Sequence, residues 1–134
     1  LCYHHHAFEF RQYGDDLGLD LLLANTTPED GGLELDTYWV ARGGRSPQDL
    51  IAELDGRVKV VHLWDFRLRW KLFSLRPEDC ELGSGNLDFR RIVESCVSNG
   101  VDYMAIEQAT ATPFESVAKS VAHLNELGFS PLFQ

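Results

Sequence analysis

The chain has 134 residues, 44% of them hydrophobic and 25% charged, which predicts one soluble globular domain over residues 1–134 with its own core. Its net charge of −9, from 12 basic and 21 acidic residues, argues against a nucleic-acid partner, since such proteins carry a basic patch. No apolar run approaches the roughly 20 residues of a membrane helix and no signal peptide begins the chain, so we expect no membrane partner and a cytoplasmic location.

The predicted elements in the first half of the chain alternate between strand and helix. LCYHHH is a short strand with alternating apolar residues, and residues 15–25 have leucines at helical spacing before the turn TTPEDGG. GLELDTYW is the second predicted strand. The next helix begins with Ser46 as its N-cap and Pro47 in the first helical position, and it extends to Gly56.

The second half continues the same alternation. VKVVHLW is nearly continuously apolar, as buried parallel strands are, and residues 65–87 are predicted to form a long irregular segment. Residues 67–76 within it are locally basic, which suggests a loop that attracts an anionic substrate group. LDFRRIVESCVSNG is a predicted helix that ends at Gly100, VDYMAIEQ is the fourth strand, and PFESVAKSVAHLNELG is an amphipathic helix.

The order of these elements predicts the fold class. Strands that are each followed by a helix form an α/β fold, in which helical crossovers connect the strands of a parallel sheet. With four such βα units, two architectures fit: an open four-stranded sheet, or half of a (β/α)8 TIM barrel. A complete barrel takes about 250 residues, and this chain is close to half of that length.

Each predicted strand ends its apolar run in histidine or a carboxylate. The four ends are His4-His5-His6, Glu34-Leu35-Asp36, His62 with Asp65 three residues later, and Glu107-Gln108. In parallel α/β folds the carboxyl ends of the strands form the ligand-binding face, so these side chains are predicted to meet there. Oxygen and nitrogen ligands suit one divalent ion of Mn, Mg, Zn, Fe or Co, and three cysteines without a CxxC pair argue against a thiolate site.

Simpler roles are open for each of these residues. Asp36 could cap the chain after its strand, His62 could be a core histidine bonded to a carbonyl, and Glu107 could pair with Arg67. The three opening histidines could be the remnant of an affinity tag, although they lie in a strand-like apolar frame. Because acidic side chains are rarely buried unless they are paired or bind a metal, their recurrence at successive strand ends favours the metal site.

Several segments resemble motifs of the sugar phosphate isomerase/epimerase family, whose members are xylose-isomerase-like TIM barrels and include inosose dehydratases and related lyases. The segments are YHHHAFEF, GLELDTYWV, GRVKVVHLWDF, ELGSGNLDFRRI, YMAIEQ and PFESVAKSVAHL. They cover essentially the whole chain, in order, and are similar to the C-terminal half of the barrel. The resemblance therefore implies a half barrel that lacks the first four βα units.

The resemblance also implies which residues form the site. Asp36 matches the aspartate of the family's LDTYW-type motif, His62 the histidine of its VHLKD-type motif, and Glu107 the glutamate of its last strand. These residues are ligands of a divalent metal in the family. The fourth ligand is expected to be Glu9 reaching back, with His4 as the alternative. The residues expected to contact the substrate are His6, His4, Arg67 and Trp39.

The implied reaction is acid–base chemistry on a sugar, a sugar phosphate or a polyol. A metal would polarise a carbonyl and its neighbouring hydroxyl, and Glu107 or Glu9 would take the proton from the carbon between them. Return of the proton gives isomerisation or epimerisation, whereas loss of a β-hydroxyl gives the dehydration of an inosose-dehydratase-like lyase. Trp64 and Gly83-Ser84-Gly85 depart from the family's usual substrate-side residues and leave the substrate open.

A half barrel would expose two sheet edges and its inner wall, which promotes association. We therefore expect a homodimer that closes an eight-stranded barrel, or a chain taken from a longer parent that contains the N-terminal half barrel. The alternative to an enzyme is a truncated, non-catalytic half barrel that acts as a binding or assembly module.

Overall fold

The computed structural model describes residues 1–132, and its elements alternate between strands and helices in that range. In chain order they are β1 (Cys2–His4), β2 (Gln12–Tyr13), β3 (Asp16–Leu17), α1 (Gly18–Ala24), β4 (Gly32–Asp36), α2 (Thr37–Arg42), α3 (Pro47–Glu53), β5 (Val58–Leu63), β6 (Asp65–Lys71), β7 (Ser74–Cys80), α4 (Phe89–Ser98), β8 (Tyr103–Ile106) and α5 (Pro113–Glu126). Two short 3-10 helices span Phe8–Phe10 and Ser130–Leu132. None of the helices in residues 1–132 combines the length and apolarity needed to cross a membrane.

The central sheet contains β1, β4, β5 and β8 in that order, and all three strand pairs are parallel. This arrangement confirms the predicted α/β fold with four βα units. The crossovers run through α1 between β1 and β4, through α2 and α3 between β4 and β5, and through α4 between β5 and β8. Because the strands are parallel, their four carboxyl ends lie at the same end of the sheet. The outer strands β1 and β8 form its two lateral edges.

One face of this sheet packs against the helices and forms the hydrophobic core. Side chains alternate across a strand, so Leu33 and Leu35 of β4 share this face with Val61 and Leu63 of β5, and these four side chains are only 0–3% exposed. The helices contribute further buried residues to the same cluster, namely Val40, Leu50, Ile51, Phe89, Ile92, Val93, Cys96 and Leu124. Burial of apolar surface stabilises this face by about 25 cal/mol per Å².

A β-hairpin occupies residues 65–80, where an irregular segment was predicted over residues 65–87. The prediction is therefore wrong for these residues. β6 and β7 pair in antiparallel fashion, from Asp65 opposite Cys80 to Lys71 opposite Ser74. The alternation of basic and apolar residues in RLRWK was the available signal for a strand. The turn itself lacks the usual glycine or asparagine, because Leu72 and Phe73 occupy it with φ values of 44° and 71°.

Other element boundaries also differ from the prediction. The second strand, predicted over GLELDTYW, ends at Asp36 because the Asp36 side chain caps α2 by accepting the Trp39 N–H at 2.9 Å. Ser46 and Pro47 occupy the N-cap and first position of α3 as predicted, but the Ser46 hydroxyl makes no capping hydrogen bond. The helix predicted from residue 15 begins at Gly18, after the small β2–β3 hairpin.

Candidate metal centre

Polar side chains occupy the second face of the sheet at the carboxyl ends of its strands. His4 is the last residue of β1, Asp36 ends β4, His62 lies one residue before the end of β5, and Glu107 directly follows β8. Asp36 is the register partner of His62, and His62 is the partner of Ala105, two residues before Glu107. The two-residue period of each strand therefore puts these side chains on one face.

These four side chains approach one another closely. One ligand atom from each of His4, Asp36, His62 and Glu107 lies within 4.8 Å of the others. Asp36 Oδ2 is 3.9 Å from both His4 Nε2 and His62 Nδ1, and His62 Nδ1 is 2.7 Å from Glu107 Oε2. The structure thus brings together the three ligands expected from the sequence, with His4, the alternative for the fourth position, beside them.

The atoms of this group fit a divalent ion. Asp36 Oδ2 and His62 Nδ1 are buried, and neither has a hydrogen-bond partner among residues 1–132, although buried polar atoms normally have one. The 2.7 Å contact of His62 Nδ1 with Glu107 Oε2 is an ion-pair distance without hydrogen-bond geometry. The other carboxylate oxygen of Asp36 accepts the Trp39 N–H at 2.9 Å, so Oδ2 is the oxygen that can bind a cation. Two imidazoles and two carboxylates are suitable ligands for Mn²⁺, Mg²⁺, Zn²⁺, Fe²⁺ or Co²⁺.

Burial controls the charge of two members of the group. It raises the pKa of Asp36 to about 7, against the opposing effect of the Trp39 N–H, and the Glu107 carboxylate raises this pKa further. Burial also lowers the pKa of His4, as do the neighbouring His62 and His6. His4 is therefore mostly neutral at neutral pH, which is the form that binds metals, whereas an ionised Asp36 is costly unless a positive charge is close to it.

The middle histidine of the opening run has a structural role that was not expected from the sequence. His5 is 1% exposed, and its Nε2 accepts the Asp36 N–H at 3.1 Å. Its Nδ1 therefore carries the hydrogen and donates to the His6 carbonyl at 3.1 Å. The bond to Asp36 ties the end of β1 to the end of β4, and the bond to the His6 carbonyl helps to fix the ring. Strand alternation was the available signal, since it separates His5 from His4.

Glu9, which was expected to be the fourth ligand and a possible base, lies outside the group of four. It sits in the 3-10 helix Phe8–Phe10 and is 6% exposed. Its Oε1 accepts the Tyr3 hydroxyl at 2.6 Å, and its Oε2 accepts the His6 N–H at 2.9 Å. The hydrogen bond to Glu9 is the main reason that the pKa of Tyr3 rises to about 12. Glu9 thus holds the turn that follows β1.

Three of the four residues expected to contact the substrate surround the group. His4 belongs to the group itself. The ring centroid of His6 lies 5.0 Å from that of His4 and 5.1 Å from that of Trp39. Trp39 continues into a larger aromatic surface, with its ring centroid 4.8 Å from Tyr38 and 6.1 Å from Trp64. The polar group is therefore bordered by an aromatic wall on the α2 side.

Arg67, the fourth residue expected to contact the substrate, is engaged within the β6–β7 hairpin. It donates to Glu78 Oε1 at 2.9 Å, so its ion-pair partner is Glu78 rather than Glu107. Arg69 and Lys71 contact the same carboxylate at 3.1 and 2.9 Å. The hydrogen bonds from Lys71 and Arg67 lower the pKa of Glu78 to about 2. The basic residues thus form the charged face of the hairpin.

Asp65, which follows the end of β5, organises a loop and is not part of the group of four. Its buried carboxylate accepts backbone N–H groups of Phe66 at 2.8 Å, Gly83 at 3.1 Å, Gly85 at 2.9 Å and Leu87 at 3.2 Å. A Cβ atom on Gly85 would lie 2.3 Å from Asp65 Oδ1, so this position requires glycine. The carboxylate therefore fixes the segment between β7 and α4.

Glu34 belongs to the polar face; it was named at its strand end in the sequence, but neither a ligand role nor a substrate contact was expected for it. Its Oε1 is 2.6 Å from His62 Nε2, and the two side chains are 26% and 23% exposed. Glu34 precedes Asp36 by two residues, so strand alternation puts both side chains on the same face. That spacing, visible in ELD, was the signal that could have identified it.

Comparisons with known proteins identify the fold. No protein-family model matches the chain, and no curated protein does. A solved sugar phosphate isomerase/epimerase from Parabacteroides distasonis matches with a TM-score of 0.74 and 24% identity, over 96% of this chain and 46% of its own. The chain is similar in structure to half of a sugar phosphate isomerase/epimerase. A second structure of such a protein from the same organism matches with a TM-score of 0.72 and 25% identity, over 99% of this chain and 46% of its own.

A third solved structure extends the likeness to xylose isomerase-like barrels. It is a xylose isomerase-like TIM barrel protein from Mycobacterium smegmatis in complex with magnesium, with a TM-score of 0.58 and 16% identity over 75% of this chain and 35% of its own. The chain therefore spans less than half the length of all three structures. These matches confirm the resemblance read from the motifs and the half TIM barrel predicted from the sequence.

Proposed function

We propose that this chain forms the metal-binding half of an isomerase or epimerase that acts on a sugar, a sugar phosphate or a polyol. The observation that carries the proposal is the group of His4, Asp36, His62 and Glu107, whose ligand atoms lie within 4.8 Å of one another at the carboxyl ends of the parallel strands. The chemistry of the structural neighbours supports it, since two are sugar phosphate isomerase/epimerases and the third is a complex with magnesium.

The four side chains would hold one divalent ion, with Asp36 as the most rigid ligand. Its side chain is 0% exposed, and the Trp39 N–H fixes its other oxygen at 2.9 Å. The His5 ring accepts the Asp36 N–H, which fixes the backbone as well. When bound, the ion would supply Lewis-acid polarisation of a carbonyl and of the hydroxyl next to it.

We assign proton removal to Glu107. Its side chain is 38% exposed, so a substrate that lies over the strand ends can reach it, whereas Asp36 is fully buried. A carboxylate in contact with the substrate takes the proton from the carbon next to the carbonyl and returns it to another carbon or to the other face. Glu9, the other base suggested by the sequence, already accepts a hydrogen bond on each oxygen. In this proposal Glu9 acts on the substrate pocket by holding the His6 backbone.

The aromatic wall would bind the substrate's carbon skeleton. Trp39 and His6 border the metal ligands, and their ring faces suit the apolar C–H surface of a sugar or polyol. Arg67 is the candidate for an anionic group such as a phosphate, with the charged face of the hairpin as its surroundings. For Arg67 to act in this way, the phosphate would have to share it with Glu78.

We also propose that the open sheet is covered by a second copy of this chain or by an N-terminal half barrel in a longer chain. Tyr3 of β1 and Tyr103 of β8 are 41% and 72% exposed on the two lateral edges, and Phe114 at the start of α5 is 91% exposed. Light scattering at low micromolar concentration should show twice the mass of one chain if a second copy provides the cover. A compact, cooperatively folding monomer would contradict both forms of this proposal.

Solvent-deuterium exchange tests the proposed reaction. The purified chain, loaded with each divalent ion in turn, is incubated in D₂O with a panel of ketoses, aldoses, their phosphates and inososes. We expect deuterium at the carbon next to the carbonyl, and a rate about 100- to 10,000-fold lower for Glu107→Gln. Glu94→Gln on the exposed face of α4 is the matched control and should exchange at the parent rate.

The products of this experiment separate the candidate functions. Exchange that persists in Glu107→Gln would remove the role of Glu107. Loss of a hydroxyl from the substrate would instead support an inosose-dehydratase-like lyase. A folded, metal-loaded chain that exchanges no substrate would support the alternative of a non-catalytic binding or assembly module, which is consistent with a chain that spans 46% of its neighbours.

A further inference from the structure

We propose that the β6–β7 hairpin is a docking surface for a second copy of this chain, whose own hairpin packs against it across the mouth formed by the carboxyl ends of the strands. The inference rests on the part of the proposed function in which a second copy covers the open sheet, and it is independent of the proposed reaction. Within one chain, the main packing of the hairpin is the pairing of its own two strands and the contact of β6 with α2.

The hairpin has one charged face and one apolar face. Residues directly opposite each other in an antiparallel pair point to the same side, and successive residues alternate between the two sides. The charged face contains Arg67, Arg69, Lys71, Arg76 and Glu78. The other face is apolar apart from Asp79 at its base and contains Phe66, Leu68, Trp70, Leu75 and Pro77.

The apolar face and the turn of the hairpin are exposed in the single chain. Leu68, Leu75 and Trp70 are 50%, 55% and 71% exposed, and Leu72 and Phe73 in the turn are 93% and 94% exposed. A two-stranded hairpin is only marginally stable in water unless other parts of a protein pack against it. Exposed apolar surface of this extent marks an interaction site.

The apolar face begins beside the polar group of the sheet. The ring centroid of Phe66, at the base of the hairpin, lies 5.2 Å from that of Tyr38. Tyr38 in turn lies 4.8 Å from Trp39, which borders His6. The apolar face of the hairpin therefore continues the aromatic wall, and a partner that packs on it lies at the carboxyl ends of the strands.

The order of the strands puts two hairpins opposite each other in a closed dimer. In one sheet the order is β1-β4-β5-β8, so two copies that close an eight-stranded barrel have their β5 strands four positions apart. Each hairpin follows β5, and the two hairpins would rise from opposite sides of one mouth. Its strands have seven residues each, which at about 3.3 Å per residue gives a length of roughly 20 Å. A two-fold axis would bring identical apolar faces together.

The area of the apolar surface also suits a second copy. A tryptophan or phenylalanine side chain buries about 150–250 Å², so Trp70, Phe73 and the three leucines supply several hundred Å² on each copy. A standard protein interface buries about 800 Å² on each partner. An anionic membrane is disfavoured as the partner, because the chain has a net charge of −9. In the proposed dimer the basic residues remain on the face that points to solvent.

Positions 75 and 76 provide a matched pair of variants, because they lie on opposite faces of β7. Leu75→Asp puts a carboxylate on the apolar face, whereas Arg76→Asp puts the same group on the charged face. Sedimentation equilibrium, from low micromolar to submillimolar concentration and at physiological salt, measures the dissociation constant of the dimer. We expect this constant to rise at least about 10-fold in Leu75→Asp and less than about 3-fold in Arg76→Asp, because an unpaired charge is costly in the core of an interface.

Two further measurements locate the contact at the hairpin. The fluorescence of Trp70, obtained as the difference between the parent and Trp70→Phe, should move to shorter wavelength as the dimer forms. Mixing Leu75→Asp with Leu75→Lys should restore association, because opposite charges then meet across the two-fold axis. Circular dichroism shows whether each variant is folded. If Leu75→Asp does not fold, the fluorescence of Trp70 in the parent decides between a buried and an exposed hairpin.

Several results would overturn the inference. A parent that stays monomeric, or a dimer that Leu75→Asp and Arg76→Asp weaken equally, would show that the apolar face is not the docking surface. Binding of the parent to vesicles of phosphatidylcholine and phosphatidylserine, lost in Leu75→Asp while the dimer is unchanged, would assign the hairpin to a membrane instead. If Leu75→Asp alone weakens the dimer but no substrate exchanges deuterium, the docking surface holds and the proposed reaction fails.

Discussion

The two faces of the central sheet are built from alternate residues of the same strands, yet they differ in almost every property. On the face packed against the helices, Leu35, Val61 and Leu63 are 0% exposed. On the opposite face, the side chains of Glu34 and His62 are 26% and 23% exposed and lie 2.6 Å apart. The comparison shows that neighbouring residues in one strand divide stability and chemistry between them, since a two-residue period sends them to opposite sides.

The two faces also contribute in opposite ways to the stability of the metal-free protein. The helix-facing side gains stability from apolar burial, so every methyl group removed from it should reduce stability. The polar side brings together two carboxylates and two imidazoles, including a buried aspartate with an unpartnered oxygen. Such a group costs stability in the absence of a cation, because buried charges need a partner. Removing apolar groups from the helix-facing side should therefore lower stability, whereas removing the buried charge from the polar side should raise the stability of the metal-free protein.

The largest expected effect comes from a matched pair of valines at adjacent positions. Val61 is 0% exposed on the helix-facing side, whereas Val60 lies on the polar side and is half-buried. We expect Val61→Ala to lower the free energy of unfolding by about 2–3 kcal/mol and Val60→Ala by less than about 1 kcal/mol. Urea denaturation followed by circular dichroism measures both. Equal losses would show that a partner covers the polar side as completely as the helices cover the other.

A smaller effect of opposite sign is expected at Asp36. Asparagine keeps the oxygen that accepts the Trp39 N–H but removes the buried charge, so Asp36→Asn should raise the stability of the metal-free protein by about 1–3 kcal/mol at pH 8. The measurement is urea denaturation with a chelator present. An excess of divalent metal should reverse the order, because only the parent gains stability from the ion. Destabilisation of the metal-free variant would contradict the account of this face.

The smallest effect concerns the β6–β7 hairpin, which lies outside both faces. Its Glu78 has a pKa lowered to about 2 by hydrogen bonds from Lys71 and Arg67. Because this pKa is below the unfolded value of 4.5, the stabilisation is complete above about pH 4.5 and is lost as the pH falls towards 2. The fluorescence of the exposed Trp70 should follow this change. Glu78→Gln should abolish the dependence, and the same titration in that variant would assign it to another group.

Much of the fold could be predicted from the sequence because its signals are local and periodic. A nearly continuous apolar run identified β5, alternating apolar residues identified β1, and apolar residues at helical spacing together with Pro47 identified helices. The β6–β7 hairpin was missed because Leu72 and Phe73 form its turn at positive φ, where glycine or asparagine gives the usual signal. The basic residues of RLRWK were therefore assigned to a loop that attracts an anionic substrate group. The end of β4 was misplaced because Asp36 is both a strand residue and the cap of α2.

The candidate site was predictable in part for the same reason. Carboxyl ends of parallel strands converge, so Asp36, His62 and Glu107 could be placed together from their positions alone. The choice between His4 and Glu9 depends on the turn after β1, where the Tyr3 hydroxyl and the His6 N–H engage both oxygens of Glu9. These contacts depend on the conformation of the turn, and no periodic pattern in the sequence predicts them.

A Mn²⁺ titration tests the central claim most directly, namely that the polar face holds one divalent ion. Electron paramagnetic resonance should show one bound ion per chain in the parent and in His123→Ala, a control histidine on α5 outside the group. Binding should fall more than about 100-fold in His62→Ala, and it should be retained in Val61→Ala on the other face. The predicted result is one tightly bound ion in the parent, which is lost only in His62→Ala. The account would be contradicted by a parent that binds no ion, or by equal binding in His62→Ala and His123→Ala.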